Sequence, residues 1–147
     1  RDPAAAQGQG EVGTTTGRVR RVGWFDGVLA RYTSRVNGVT SAALTRLDVL
    51  SQFDAIQVCT GYELNGERVA TLPAALQDSE AVTPVYEEMP GWRSDVSAIR
   101  KLGDLPTEAR QYVRRIEQFL GAPIDMISVG PERNQVIVTR DIFGSAL

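Results

Sequence analysis

The chain has no histidine among its 147 residues, and a single lysine, Lys101. Without histidine it lacks the commonest general acid/base and the commonest metal ligand, so a complete catalytic apparatus here would have to rest on carboxylates. The one cysteine, Cys59, has no partner for an internal disulfide. No signal-peptide pattern and no apolar run of membrane-spanning length occurs, and the expectation is a reducing, cytoplasmic setting with no membrane contact. There is no GxxxxGK[ST] phosphate loop and no metal-ligand cluster. The formal net charge of −2 gives no general electrostatic reason to bind nucleic acid.

What is present is enough for one domain of ordinary size, with 42% hydrophobic residues to build a core. Residues 1–12, beginning Arg1-Asp2-Pro3-Ala4-Ala5-Ala6, are small and polar without periodicity and read as a linker or a cut end; residues 13–147 form the folded portion. Trp24, Phe25, Val28, Leu29, Tyr32 and Val36 recur at helical steps, and Asn37-Gly38 marks the stop. The second half of Val39–Leu50 reads as a strand covered on both faces. Ala55–Leu64 and Glu67–Leu72, separated by Asn65-Gly66, predict a β-hairpin. Between Pro73 and Leu105, Pro84, Pro90 and Gly91 predict an irregular, extended stretch with a short helix near Asp95–Leu102. Pro106–Leu120 is the clearest helix, its stripe being Ala109, Tyr112, Val113, Ile116, Phe119 and Leu120, with Gly121 and Pro123 closing it. Ile124–Val129 and Gln135–Thr139 read as strands. The alternation indicates an α/β fold, with parallel pairing across the Pro106 helix crossover and the hairpin as an excursion.

Three short segments carry possible chemistry. Gly13-Thr14-Thr15-Thr16-Gly17-Arg18-Val19-Arg20-Arg21 places hydroxyls and backbone amides beside guanidinium groups that grip oxyanions with paired hydrogen bonds; it is either an anion-binding loop or a solvated basic loop. In Arg46-Leu47-Asp48 the leucine faces away from its charged neighbours. Asp48 is either half of a strand-end ion pair with Arg46 or an acceptor for the two adjacent N–H donors of a guanine base. Ser128-Val129-Gly130-Pro131 ends a strand where open α/β sheets take ligands, and equally serves as plain turn punctuation. Glu87-Glu88, Asp78 with Glu80, and Asp2 with Glu11 lack the spacing or apolar setting of a tuned acid/base pair and read as solvated surface. Cys59, in a strand pattern, reads as a buried structural thiol, and Trp24 and Trp92 as core or cover.

Taken in order, TTTGRVRRVGWFD (Thr14–Asp26), RVNGVTSAALTRLDVL (Arg35–Leu50), VCTGYELNGE (Val58–Glu67), PVYEEMPGW (Pro84–Trp92) and ISVGPER (Ile127–Arg133) resemble successive blocks of the C-terminal third of the adenylosuccinate synthetase family. The resemblance covers about Glu11–Val138. It implies part of a P-loop-type, mostly parallel sheet with helices. It also implies a GTP-dependent carbon–nitrogen ligase of purine and AMP biosynthesis, joining IMP to L-aspartate with magnesium required, cytoplasmic and homodimeric. By the same resemblance Thr14, Thr15, Thr16, Gly17, Arg18, Val19 and Arg20 match the loop over aspartate and IMP, with Arg20 shared with the GTP side. Arg46, Leu47 and Asp48 match a guanine-binding Lys-Leu-Asp in which Arg46 replaces the lysine, and Ser128, Val129 and Gly130 match a second guanine-binding turn. The family's phosphate loop, catalytic aspartate and histidine and magnesium ligands lie earlier in its chain, which implies an inactive fragment awaiting its N-terminal half. A stand-alone guanine-nucleotide-binding regulatory module is the alternative.

Overall fold

The computed structural model describes residues 15–18, 22–71 and 82–140. The expected linker 1–12, together with Thr14, Val19, Arg20 and Arg21, lies outside the described residues.

The first element is set by a cap. The Asp26 carboxylate accepts the backbone N–H groups of Val28 and Leu29 at 3.0 and 2.9 Å, satisfying two of the orphan donors of a helix start. Helix α1 therefore runs Gly27–Asn37, closed by Gly38 in the left-handed conformation, while Phe25–Asp26 is left outside it as strand β1. The sequence pattern had begun this helix at Trp24. Of the expected stripe Val28 is buried and Trp24 and Phe25 pack on the core, but Leu29, Tyr32 and Val36 are exposed, because α1 turns Gly27, Arg31 and Ser34 toward the second helix. Ser34 is buried and donates to the Leu120 carbonyl at 2.6 Å.

Strand β2 is only Ala42–Leu44. The covered strand expected to continue toward Leu50 is a 3-10 turn, Leu47–Gln52, entered through Arg46 at φ 64°, a left-handed conformation that breaks the pleat. Strand β3, Ala55–Leu64, and β4, Glu67–Val69, form the expected hairpin. Asn65 and Gly66 both have positive φ, 53° and 83°, as a two-residue type I′ turn requires. The region expected to be irregular holds a nine-residue strand, β5, Val82–Pro90, antiparallel to β3 from Ala55↔Pro90 to Leu64↔Val82. Its prolines fit because its other edge pairs with no described strand, so no ladder N–H is missing. The helix expected near Asp95 is not formed; a single 3-10 turn, Leu102–Asp104, precedes α2, Thr107–Leu120.

Helix α2 buries Ala109, Tyr112, Val113, Ile116 and Phe119, the expected stripe. Strand β6, Ile124–Ser128, then runs parallel to β2, and β7, Val136–Val138, returns antiparallel to β6. The other sheet is built on β3, with β1 parallel to it and β4 and β5 antiparallel. The α/β class is as expected, but the described sheets are mixed, since two of the five strand pairs are parallel. One core joins them: Leu47, Ile56, Val58, Trp92, Val96, the α2 stripe, Ile127 and Ile137. Trp92 and Tyr112 sit together there, ring centres 6.1 Å apart, and Trp24 packs edge-on to Phe53 at 5.3 Å, so both tryptophans act as core or cover. No described helix is long and apolar enough to cross a membrane.

Candidate functional site

Two of the three segments singled out in the sequence meet at one place. Leu44 of β2 lies opposite Ile127 of β6 in parallel register. Arg46-Leu47-Asp48 and Ser128-Val129-Gly130 therefore leave the sheet side by side at the carboxyl ends of neighbouring parallel strands. Open α/β sheets take ligands at such ends, because the diverging loops leave a crevice floored by the strand termini.

Leu47 anchors the first segment. It is 1% exposed and belongs to the core, whereas Arg46 is exposed and Asp48 half-buried. The alternation expected of a strand thus survives in the 3-10 turn. In the second segment Val129 is fully buried and its N–H donates to the Gln135 carbonyl at 2.9 Å. The Ser128 hydroxyl donates to the Gly130 carbonyl at 3.2 Å.

Of the basic loop, Thr15, Thr16, Gly17 and Arg18 are described and all are exposed. The Arg18 N–H donates to the Thr16 hydroxyl oxygen at 3.4 Å, and Gly17 takes φ 62°. The chain following this loop lines a cavity of ≈ 280 Å³ with the Arg46 turn: Val22 and Trp24 on one side, Thr45, Arg46 and Val49 on the other, and Tyr112 from α2. Burial pushes the Tyr112 phenol up to about 12, so it remains a protonated hydroxyl over the physiological range. Sequence reading placed Tyr112 only in the apolar stripe; a tyrosine among aliphatic stripe residues, with a polar tip that needs an outlet, was the available signal.

Cys59 is 2% exposed, its thiol donating to the Gly61 carbonyl at 3.2 Å. Burial, with the nearby Asp26 charge adding to it, raises its pKa, which is the setting of an inert structural thiol. Glu87 is engaged by Arg115 at 2.5 Å in a partly exposed ion pair on the α2 side of β5. Among the described residues no three acidic or cysteine side chains converge as metal ligands.

The described residues form a mixed α/β unit in which two loops leave the carboxyl ends of adjacent parallel strands. The particular lineage is equally plain: the chain belongs to the adenylosuccinate synthetase family, whose model matches residues 3–137. It is 53% identical over 133 residues to the adenylosuccinate synthetase of Alkaliphilus metalliredigens, covering 90% of this chain and 31% of that protein. It is 55% identical over 134 residues to that of Mycobacterium marinum, covering 91% and 31%. Its fold is similar to the fully ligated adenylosuccinate synthetase of Plasmodium falciparum, with a TM-score of 0.83 and 38% identity over 88% of this chain and 32% of that one. The chain thus spans about a third of the length of the relatives it matches.

Proposed function

We propose that this chain is the C-terminal, guanine- and substrate-contacting part of an adenylosuccinate synthetase, the ligase that joins IMP to L-aspartate at the expense of GTP in purine biosynthesis. One observation carries the reading: the Arg46–Asp48 and Ser128–Gly130 segments follow the paired residues Leu44 and Ile127 at the carboxyl ends of the neighbouring parallel strands β2 and β6.

A half-buried carboxylate at this position accepts two parallel hydrogen bonds from the N1–H and 2-amino groups of guanine. Adenine offers no such pair and leaves the charge uncompensated. Ser128, Val129 and Gly130 supply the facing backbone wall, while Arg46, with Leu47 sunk in the core, covers the base. Thr14, Thr15, Thr16, Gly17, Arg18, Val19 and Arg20 form the loop that holds the carboxylates of aspartate and the IMP phosphate, Arg20 also reaching the GTP side. Phosphoryl transfer needs positioned charge and metal around the transferring group. Those groups, the magnesium ion included, belong to the remaining two thirds of the polypeptide, so this chain alone is inactive. The complete enzyme is cytoplasmic and homodimeric.

The test is base exchange in the full polypeptide. Xanthine keeps the N1–H donor of guanine but presents a carbonyl at C2, and the amide of Asp48→Asn offers the matching acceptor and donor. Asp48→Asn should lower kcat/KM for GTP by roughly 10²–10⁴-fold and raise that for XTP. Unchanged use of GTP by Asp48→Asn would overturn the assignment.

A further inference from the structure

The guanine turn is built on a glutamine that the sequence left as an ordinary strand residue. Gln135 opens the return into β7, and its backbone already closes the turn twice: its carbonyl accepts the Val129 N–H at 2.9 Å, and its N–H donates to the Glu132 carbonyl at 2.9 Å. Its side chain then adds two more links. Oε1 accepts the Glu132 N–H at 2.9 Å, and Nε2 donates to the Ser97 carbonyl at 3.4 Å. Ser97 is itself fixed, since its N–H donates to the Asp95 carboxylate at 2.8 Å and its neighbour Val96 is fully buried.

The carboxamide occupies the space that a side chain at residue 130 would need. A Cβ on Gly130 would lie 2.3 Å from Oε1, 2.5 Å from Cδ and 2.8 Å from Nε2. The missing side chain at 130 and the amide at 135 are therefore one feature: a flat polar group seated against bare backbone. The amide makes both links at once, accepting from the Glu132 N–H and donating to a Ser97 carbonyl that also accepts the Arg100 guanidinium at 2.6 Å; a carboxylate would keep only the acceptor.

We propose that Gln135 is the positioning residue of the guanine-binding turn, locking Ser128–Gly130 to the 95–97 loop so that the turn's backbone meets the base at a fixed distance. This rests on the guanine-site reading above. Gln135 itself touches no substrate; it acts through Gly130 and Glu132. Preorganised backbone groups lose affinity steeply when their supporting contacts are removed.

The experiment measures kcat and the separate KM values for GTP, IMP and aspartate in the full polypeptide carrying Gln135→Met, which keeps length and loses both hydrogen bonds, and Gln135→Glu, which keeps the acceptor only. Gln135→Met should raise the KM for GTP by about 10-fold, leave those for IMP and aspartate unchanged and hold kcat at saturating GTP within about twofold, with Gln135→Glu in between. A loss of fold stability alone would reduce the active fraction, lowering kcat for every substrate without moving any KM. That pattern, or an equal rise in all three KM values, would overturn the proposal. Should Gln135→Met not fold, Gly130→Ala with and without Gln135→Ala decides the matter: removal of the carboxamide must recover part of the GTP affinity that the extra methyl takes away. Failure of the underlying guanine assignment shows separately, as a GTP preference that survives Asp48→Asn in an enzyme whose Gln135 is unchanged.

Discussion

The Tyr62 hydroxyl on β3 donates to the carboxylate of Asp26, whose other oxygen caps α1 through Val28 and Leu29. One acidic side chain thus fastens the first helix to the longest strand. Removing the phenol by Tyr62→Phe should cost roughly 1–2 kcal/mol, as for a hydrogen bond to a charged acceptor. The same contact fixes a pH dependence. Burial first, and then the bond to Asp26, raise the pKa of Tyr62, and burial alone brings Tyr112 up to about 12. An unfolded tyrosine ionises near ~10, so the folded chain holds these protons where the unfolded chain releases them. The stabilisation is complete below about pH 10 and is lost as the pH climbs through the raised values. Urea midpoints measured from neutral to strongly alkaline pH should fall along that limb, less steeply in Tyr62→Phe. Ionisation of all four tyrosines near pH ~10 with the native fold intact would contradict it.

Much of this arrangement was legible in the sequence, for identifiable reasons. Asn65-Gly66 and the 107–120 stripe declare themselves because turn chemistry and helical period are local signals, and the structure has the hairpin and α2 where those signals put them. Strand β5 was not legible. Pro84 and Pro90 read as punctuation unless the strand is known to pair on one side only, and its one described partner, β3, is distant in sequence: Pro84 lies opposite Tyr62 and Pro90 opposite Ala55. The α1 face failed differently: Leu29, Tyr32 and Val36 form a good apolar stripe, yet the packed side is the one carrying Gly27 and Ser34, whose value lies in smallness and a long-range hydrogen bond rather than in hydrophobicity. At the candidate site the residues of Arg46–Asp48 and Ser128–Gly130 could be named from sequence. Their adjacency could not, since it depends on the β2–β6 register, and neither could the seating of the Gln135 carboxamide against the bare backbone of Gly130.

Gly27 stands against the face of Phe119, and the α1–α2 contact depends on that fit. A Cβ at residue 27 would lie 2.5–2.7 Å from three ring atoms of Phe119, a ring that is 3% exposed and flanked by the guanidinium groups of Arg31 at 5.4 Å and Arg115 at 4.5 Å. The ring has little room to retreat without giving up those cation–π contacts. Gly27→Ala, favourable on helix propensity alone, should therefore destabilise the chain by about 1–3 kcal/mol through overpacking. Denaturant titration of Gly27→Ala, Phe119→Leu and the double variant checks this. The double variant should be more stable than the sum of the single losses predicts, because the smaller side chain at 119 admits the methyl at 27. Strict additivity would mean that the two residues do not press on one another.

Asp125 is held at 1% exposure in the middle strand β6, and what holds it comes from both neighbouring strands. The Ser41 hydroxyl, just before β2, donates to Oδ2, and the Arg140 guanidinium, just after β7, reaches the same oxygen at 3.0 Å. Thr139 closes the arrangement by donating its N–H to the Asp125 carbonyl at 2.9 Å and its hydroxyl to that of Ile124 at 2.6 Å. The Ser41 hydrogen bond chiefly, with Arg140 behind it and burial opposing, lowers the pKa of this carboxyl below its ordinary value. A lowered folded-state pKa gives stability that is present above the unfolded value near ~4 and is lost as the pH falls through the folded one. Acid titration of the fold should therefore show a limb below about pH 4 that Asp125→Asn flattens. Ser41→Ala should remove more of that limb than Arg140→Gln, and added salt should weaken only the arginine's share, because its side chain is 59% exposed and screened whereas the hydroxyl contact is sheltered. An acid limb equally steep in Asp125→Asn would place the acid sensitivity on other carboxylates.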